Sequence, residues 1–245
     1  MSIANPDGVV VPFHLKPAQA DFLTHREPLI LLPKARQLGF TSIGAAGDLA
    51  ECELIPRTNV LFTAQKEDAA AQISKTILNL YELQSDILRG DDGEMVVKPK
   101  LVSSSSEQFG FSNHSQIIIN TANSAKVGRG LPFHRVHATE CSLYDESAMV
   151  SLTEAAIGSS GAIKRFQFIA ESTGQGAAGA FYEMCNEARK GTTPWRVYFY
   201  PWLWEPGYAL SESDVRLPGP VDDIDDYESH LTSDLHATIE QLRWR

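Results

Sequence analysis

A short apolar run, Pro28-Leu29-Ile30-Leu31-Leu32, leads directly into Lys34-Ala-Arg-Gln-Leu-Gly-Phe-Thr-Ser42, and then into a helical pattern that ends near Leu54. The apolar run is too short for a helix and shows no polar alternation, so it reads as a strand buried on both faces. Such a strand needs layers above and below it, and a turn into a following helix supplies the first one. The same order builds an anion site. The first N–H groups of a helix have no partners within it, and the helix dipole favours negative charge there. A triphosphate loop usually places Gly-Lys-Ser/Thr at that mouth. Here Gly39 and Thr41 keep their places, Phe40 stands where the lysine is expected, and the cation is displaced to Lys34. Backbone N–H groups would hold the phosphates, the lysine would neutralise their charge, and the Thr41 hydroxyl would ligate magnesium. Taken alone the match is weak, because the standard pattern fails at the lysine. A basic turn between a buried strand and an ordinary helix is the other reading, and the decision falls to the rest of the chain.

Strand patterns recur at 29–32, 59–63, 116–120, 135–138, 166–170 and 197–200, with helical patterns at 42–54, 67–88, 146–157 and 177–190. This alternation predicts an α/β fold with a mostly parallel central sheet flanked by helices. The turn 90–93 and the stretch 98–111 interrupt it and predict a hairpin or an edge excursion. After Pro201 the pattern changes. Breakers at Pro206-Gly207 and Pro218-Gly-Pro220 precede a polar helical tail, which predicts a core over 1–204 and a small helical lid over 205–245.

At 245 residues, 43% hydrophobic and 21% charged, the chain has the composition of a soluble globular protein. No apolar run spans a bilayer and no signal-peptide pattern opens the chain. A formal charge of −10 argues against a broad nucleic-acid-coating face, although a local contact remains compatible with it. The three cysteines, Cys52, Cys141 and Cys185, lack metal spacing and suit packing roles in a reducing compartment.

Downstream, Phe133-His-Arg-Val-His-Ala-Thr-Glu140 is a strand that ends in an acid. A carboxylate at the tip of a parallel strand can polarise the water that attacks a γ-phosphate. An aspartate serving the magnesium usually precedes it. Thr139 stands there instead, able to hold a metal-bound water through its hydroxyl but bringing no charge. A third strand, Arg165 to Ala170, runs into Glu171-Ser172-Thr173-Gly174, small hydroxylated residues suited to sensing a γ-phosphate or to capping the next helix.

Taken together, this order of motifs resembles the large terminase subunits of tailed bacteriophages, the ATP-driven motors that pump DNA into capsids. The resemblance rests on Pro17-Ala-Gln19, Lys34 through Ser42, Val127-Gly-Arg-Gly130, Thr139-Glu140-Cys141, Glu171-Ser-Thr-Gly174 with Phe181-Tyr182, Phe199-Tyr-Pro-Trp202, and Leu231-Thr with Gln241-Leu-Arg-Trp244. It runs from about residue 12 to the end. It implies a P-loop NTPase fold with a C-terminal lid, and ATP and Mg2+ as ligands. By resemblance Lys34 and Arg36 engage phosphate oxygens, while Gln37, Leu38, Gly39 and Phe40 wrap them with backbone amides. Thr41, with Ser42 beside it, opens the helix and ligates magnesium, and Thr139 serves it, through water. Gln19 would read adenine, or is simply a polar residue of an amphipathic segment. Glu140 would be the catalytic base, and Ser172 and Thr173 would couple phosphate loss to movement. Arg129, flanked by Gly128 and Gly130, would complete a neighbouring subunit's site, unless it is a surface arginine or a DNA contact.

The resemblance further implies double-stranded viral DNA, the portal protein and the small terminase subunit as partners. It also implies a homo-oligomeric ring, with a monomer in solution as one possibility, and action in the host-cell cytoplasm. The family's nuclease domain has no counterpart in this sequence. The acids Asp222, Asp223, Asp225, Asp226 and Glu228 read as a solvated face, so no DNA cleavage is expected. Two other readings stay open: a helicase-like remodelling ATPase, and a non-catalytic nucleotide-binding assembly module, suggested by the neutral residues at positions 40 and 139.

Overall fold

The computed structural model describes residues 2–4, 10–90, 93–122, 131–160, 163, 165–210 and 226–244. Strands β1 (Ser2–Ala4) and β2 (Val10–Pro12) pair as an antiparallel ribbon ahead of α1 (Pro17–Phe22). The core follows as β3 (Leu29–Lys34), α2 (Phe40–Leu54), β4 (Asn59–Ala64) and α3 (Glu67–Glu82). Two hairpins come next, β5 (Ile87–Arg89) with β6 (Met95–Val97) and β7 (Leu101–Ser104) with β8 (Gln108–Phe111). The core resumes with β9 (Gln116–Thr121), β10 (Arg135–Ala138), α4 (Glu146–Ser160), β11 (Gln167–Thr173), α5 (Ala180–Arg189) and β12 (Arg196–Val197). The tail carries α6 (Asp226–Ser233) and α7 (Ile239–Trp244).

Among the described residues the main sheet runs in the order β12-β3-β11-β10-β4-β9-β8-β7. Every pairing from β12 to β9 is parallel, and β8 and β7 extend the edge antiparallel. The mostly parallel α/β fold expected from the alternation is therefore present, and the excursion over 98–111 is the β7–β8 hairpin. The chain leaves β3 through α2 to reach β4 and only later fills the gap with β10 and β11. The carboxyl end of β3 thus stands beside the end of β11, with β10 one strand further on. Crevices at such points, outside the carboxyl ends of parallel strands, are where open α/β sheets bind ligands.

Apolar side chains cover both faces of the sheet. Phe40, Leu49, Phe62, Ile77 and Ile169 pack beneath α2 and α3, while Met149, Leu152, Phe168, Phe181 and Trp195 pack beneath α4 and α5. The three cysteines are free and buried. Two helices are shorter than their patterns suggest. Helix α3 stops at Glu82 because the following residues join the β5–β6 hairpin, with Gly93 at φ 82° in its turn. Helix α5 starts at Ala180 because Gly176 and Gly179 take φ values of 101° and 95°, which a right-handed helix excludes. Strand β11, conversely, runs on to Thr173, so Ser172 and Thr173 belong to the strand itself.

In the tail, Leu231, Ala237 and Leu242 form a small separate core with Trp202 and Leu203 against it. The Gln241 side chain donates to the Leu203 carbonyl at 3.0 Å. Asp222, Asp223 and Asp225 lie outside the described residues, as does Arg129. Among the described residues no helix is long and apolar enough to cross a membrane.

Candidate active site

Lys34, the last residue of β3, is 7% exposed, and the five residues after it turn the chain into α2. Leu38 and Phe40 anchor this turn in the core. The Phe40 ring lies 5.4 Å from Phe22 and 4.9 Å from Tyr200. Position 40 therefore points away from solvent, and a lysine there would bury its charge among aromatic rings. That burial explains why the loop's cation sits on β3 instead. Gln37 and Gly39 take φ values of 58° and 75°, which reverse the chain into the helix. Gly39 is the N-cap, no side chain caps it, and the first N–H bonded within the helix is that of Ile43, to the Gly39 carbonyl. The N–H groups of Phe40, Thr41 and Ser42 are left for an anion, as at other helix N-termini.

Gln19 braces this turn from behind. Its Nε2 donates to the carbonyls of Leu38 and Gly39 at 3.1 and 3.0 Å, and its Oε1 accepts the Lys16 N–H at 3.0 Å. Both amide hydrogens are thereby engaged by the loop. A Cβ at Gly39 would come within 2.5 Å of that Nε2, so the close approach requires glycine for space as well as for φ.

Glu140 closes the other side. It follows β10 in the left-handed region, φ 55° and ψ 43°, a conformation that costs a non-glycine residue about 1–2 kcal/mol. Its carboxylate receives the Lys34 ammonium at 3.3 Å, the Thr173 N–H at 3.3 Å, and the hydroxyls of Thr173 and Ser172 at 3.4 Å each. Ser172 is tied in turn to Ser142, hydroxyl to hydroxyl at 2.6 Å. Strain at a single acid, held by contacts from two neighbouring strands, is the arrangement expected of a positioned functional group.

Thr41 lies half-buried on the first turn of α2, with Thr139 3.3 Å away, hydroxyl to hydroxyl. The shorter bond is to a residue with no role in the sequence reading beyond its motif: the Thr41 hydroxyl donates to Glu171 Oε1 at 2.7 Å. Glu171 is fully buried and its Oε2 has no hydrogen-bond partner. Behind it stands His137, with Nε2 3.6 Å from Glu171 and Nδ1 3.6 Å from Asp48, ion-pair rather than hydrogen-bond separations. Asp48 also accepts from Arg135 at 2.7 Å. Burial alone would strip the charge from His137, but the two carboxylates outweigh it and raise its pKa to about 9. Burial likewise pushes Glu171 up, and the adjacent His137, Lys34 and Thr41 more than reverse it, leaving a pKa of about 2. Glu171 is thus a carboxylate held in its charged form at the foot of the loop between β3 and α2.

The tail reaches the loop from outside. Tyr208 donates to the Arg36 carbonyl at 2.8 Å, and Lys16 donates to the Gln37 carbonyl while pairing with Glu205. Tyr208 stacks on Trp244 at 3.9 Å.

The structure brings together Lys34, Thr41, Thr139, Glu140, Ser172 and Thr173, with Gln19, Leu38, Gly39 and Phe40 supporting the turn. The Arg36 and Gln37 side chains are exposed at its rim, and Ser42 is half-buried beside Thr41. Sequence reasoning missed Glu171, His137 and Asp48. Period-two alternation along β10 and β11 was the available signal, since it places 137, 139, 169 and 171 on the face that α2 covers. A nucleotide-borne Mg2+ fits what is present: one hydroxyl and one buried anionic carboxylate with an unpartnered oxygen, with phosphate oxygens and water left to supply the remaining ligands. A cleft of about 630 Å³ lies elsewhere, beside Arg135 and Gln167, the first residues of β10 and β11. Its lining runs along α2 from Ile43 and Gly44, next to His137, to Ile55.

No protein-family profile matches the sequence, and no curated protein does. Solved structures do. The chain is similar to the large terminase of bacteriophage HK97 at 16% identity and a TM-score of 0.58, covering 94% of this chain and 45% of that one. It is similar to the large terminase ATPase domain of Thermus phage P74-26 at 14% identity and a TM-score of 0.55, covering 80% and 82% respectively. The large terminase of a thermophilic bacteriophage, in complex with ADP, matches at 10% identity and a TM-score of 0.57, covering 81% and 48%. This chain therefore has the fold of these terminase ATPase domains, and spans about half the length of the full terminases it matches.

Proposed function

We propose that this chain is the ATP-hydrolysing motor part of a phage large terminase, using Mg-ATP to drive double-stranded DNA into a procapsid. The observation that carries this reading is the meeting of the Lys34 ammonium, the Thr41 hydroxyl and the Glu140 carboxylate at the carboxyl ends of β3, β11 and β10, beside an uncapped helix N-terminus. The shared fold and the ADP bound by the thermophilic bacteriophage's terminase support it. Lys34 and Arg36 would neutralise the phosphates while the amides of Gln37 through Ser42 wrap them. Glu140 would orient and deprotonate the attacking water. Bound magnesium would offset charge on the phosphates, held from the protein side at Thr41 and Thr139.

Ser172 and Thr173 touch Glu140 directly, so a shift of that carboxylate on phosphate loss would be felt along β11 and, through Ser142, at the start of the α4 segment. Arg129 would be supplied to the site of a neighbouring subunit in a ring, and DNA, portal protein and small terminase subunit would be the partners, in the host cytoplasm. The neutral residue at position 40, which suggested a non-catalytic module, is offset by the buried Lys34.

Mixing tests the shared site. Arg129→Ala and Glu140→Gln proteins, each inactive alone, should recover some hydrolysis together under conditions where rings assemble. No recovery from assembled mixtures would remove the trans arginine. Unwinding of a duplex with a free end, in a strand-displacement assay, would favour the helicase-like reading over packaging.

A further inference from the structure

Thr139 is neutral where a nucleotide site normally carries the carboxylate that serves magnesium, and a buried carboxylate stands beside it on the adjacent strand. The β10–β11 ladder pairs Ala138 with Ala170, so continuing the register by one residue sets Thr139 beside Glu171. Moving a carboxylate from 139 to 171 shifts it one strand, about 4.8 Å. The direction of the shift is toward the phosphate loop, since β11 lies between β10 and β3. We infer that Glu171 is the carboxylate that holds the magnesium of bound ATP, in place of an acid at 139, with Thr41 as its partner.

This inference rests on the nucleotide reading above and adds a residue to it. Three independent features carry it. Glu171 Oε1 already accepts from the hydroxyl of Thr41 at 2.7 Å, which aims the carboxylate at the first turn of α2. Its Oε2 is buried without a hydrogen-bond partner, an expensive condition unless a cation or its water shell completes it. Finally, its orientation is fixed from behind, because His137 is stacked on Phe62 at 4.4 Å and flanked by Asp48. A purely structural carboxylate would need the histidine but not the bond to Thr41. The geometry also accounts for Gly44 on α2, where a Cβ would fall 1.7 Å from the His137 ring and displace it from Glu171.

Calorimetric titration of ATP, in excess Mg2+ and in EDTA, tests this with wild type, Glu171→Gln and the exchange variant Thr139→Asp/Glu171→Thr. Wild type should bind ATP more tightly with Mg2+. Glu171→Gln should bind ATP in EDTA at least as tightly as wild type, having lost a negative charge near Lys34, but lose roughly 10–100-fold of the gain from Mg2+. The exchange variant, which returns the charge to β10, should recover most of that gain. A Glu171→Gln protein with the wild-type Mg2+ dependence would overturn the inference. If that variant does not fold, a folded exchange variant lacking the Mg2+ gain would overturn it, and one that keeps the gain would support it. A wild-type protein that binds no ATP would overturn the nucleotide reading itself, an outcome visible in the wild-type arm alone.

Discussion

The Lys34 ammonium lies 3.3 Å from the Glu140 carboxylate, joining the end of β3 to the end of β10 across the intervening end of β11. One side chain thus serves two tasks: it offers the loop's buried positive charge, and it holds the strained acid in place. Lys34→Ala should remove both. Charge-assisted hydrogen bonds contribute about 1.5–3 kcal/mol, so ATP affinity should fall roughly 10–100-fold. Fluorescence titration with a labelled nucleotide measures this, and unchanged affinity would show that the phosphates bind elsewhere.

Gly39 and Gln19 should be coupled. A Cβ at position 39 meets both a φ of 75° and the Gln19 amide at 2.5 Å, so Gly39→Ala should destabilise the fold by about 1–3 kcal/mol in urea unfolding. Gln19→Ala removes the clash but not the backbone strain. The double variant should therefore lose less than the sum of the two single losses, by roughly 0.5–1 kcal/mol. Strict additivity would mean that Gln19 does not touch the loop.

Gly44→Ala places a methyl where His137 stands, with the ring confined by Phe62, Asp48 and Glu171. Overpacking of a confined site costs about 1–3 kcal/mol. Thermal unfolding should show it. A neutral substitution would mean that the histidine has another place to go.

Glu53, on the buried side of α2, gives a pH signature away from the candidate site. Burial raises its pKa to about 7, against the smaller lowering effects of Lys98 and Gln84. The folded chain then binds the proton more tightly than the unfolded chain, so its contribution is present below about pH 4.5 and is lost as pH rises through 7. Glu53→Gln should therefore raise stability at pH 8, by roughly 1–3 kcal/mol, and change little at pH 4.5. An equal effect at both pH values would mean that the carboxyl is not perturbed.

The loop and the acid that follows β10 were legible because each depends on local order: an apolar strand, a glycine, a hydroxyl at the helix mouth, an acid at a strand end. The strand sequence of the sheet was not, because Thr139 and Glu171 are 32 positions apart in the chain and become neighbours only when β11 inserts between β3 and β10. The same is true of Gln19. Its segment reads as amphipathic helix, but what its amide grips is set by where α1 lands on the loop. Helix ends shifted where glycines at positive φ or hairpin pairing overrode the apolar pattern, as at Gly179 and Ile87.

Hydrolysis of Mg-ATP should be measured across a range of protein concentrations, with Glu140→Gln as control. Specific activity should rise with concentration as neighbouring subunits complete each other's sites. The variant should fall by about 10²–10⁴-fold, with nucleotide binding retained. Equal turnover by wild type and variant, or tight Mg-ATP binding with no turnover at any concentration, would contradict ATP hydrolysis at this site.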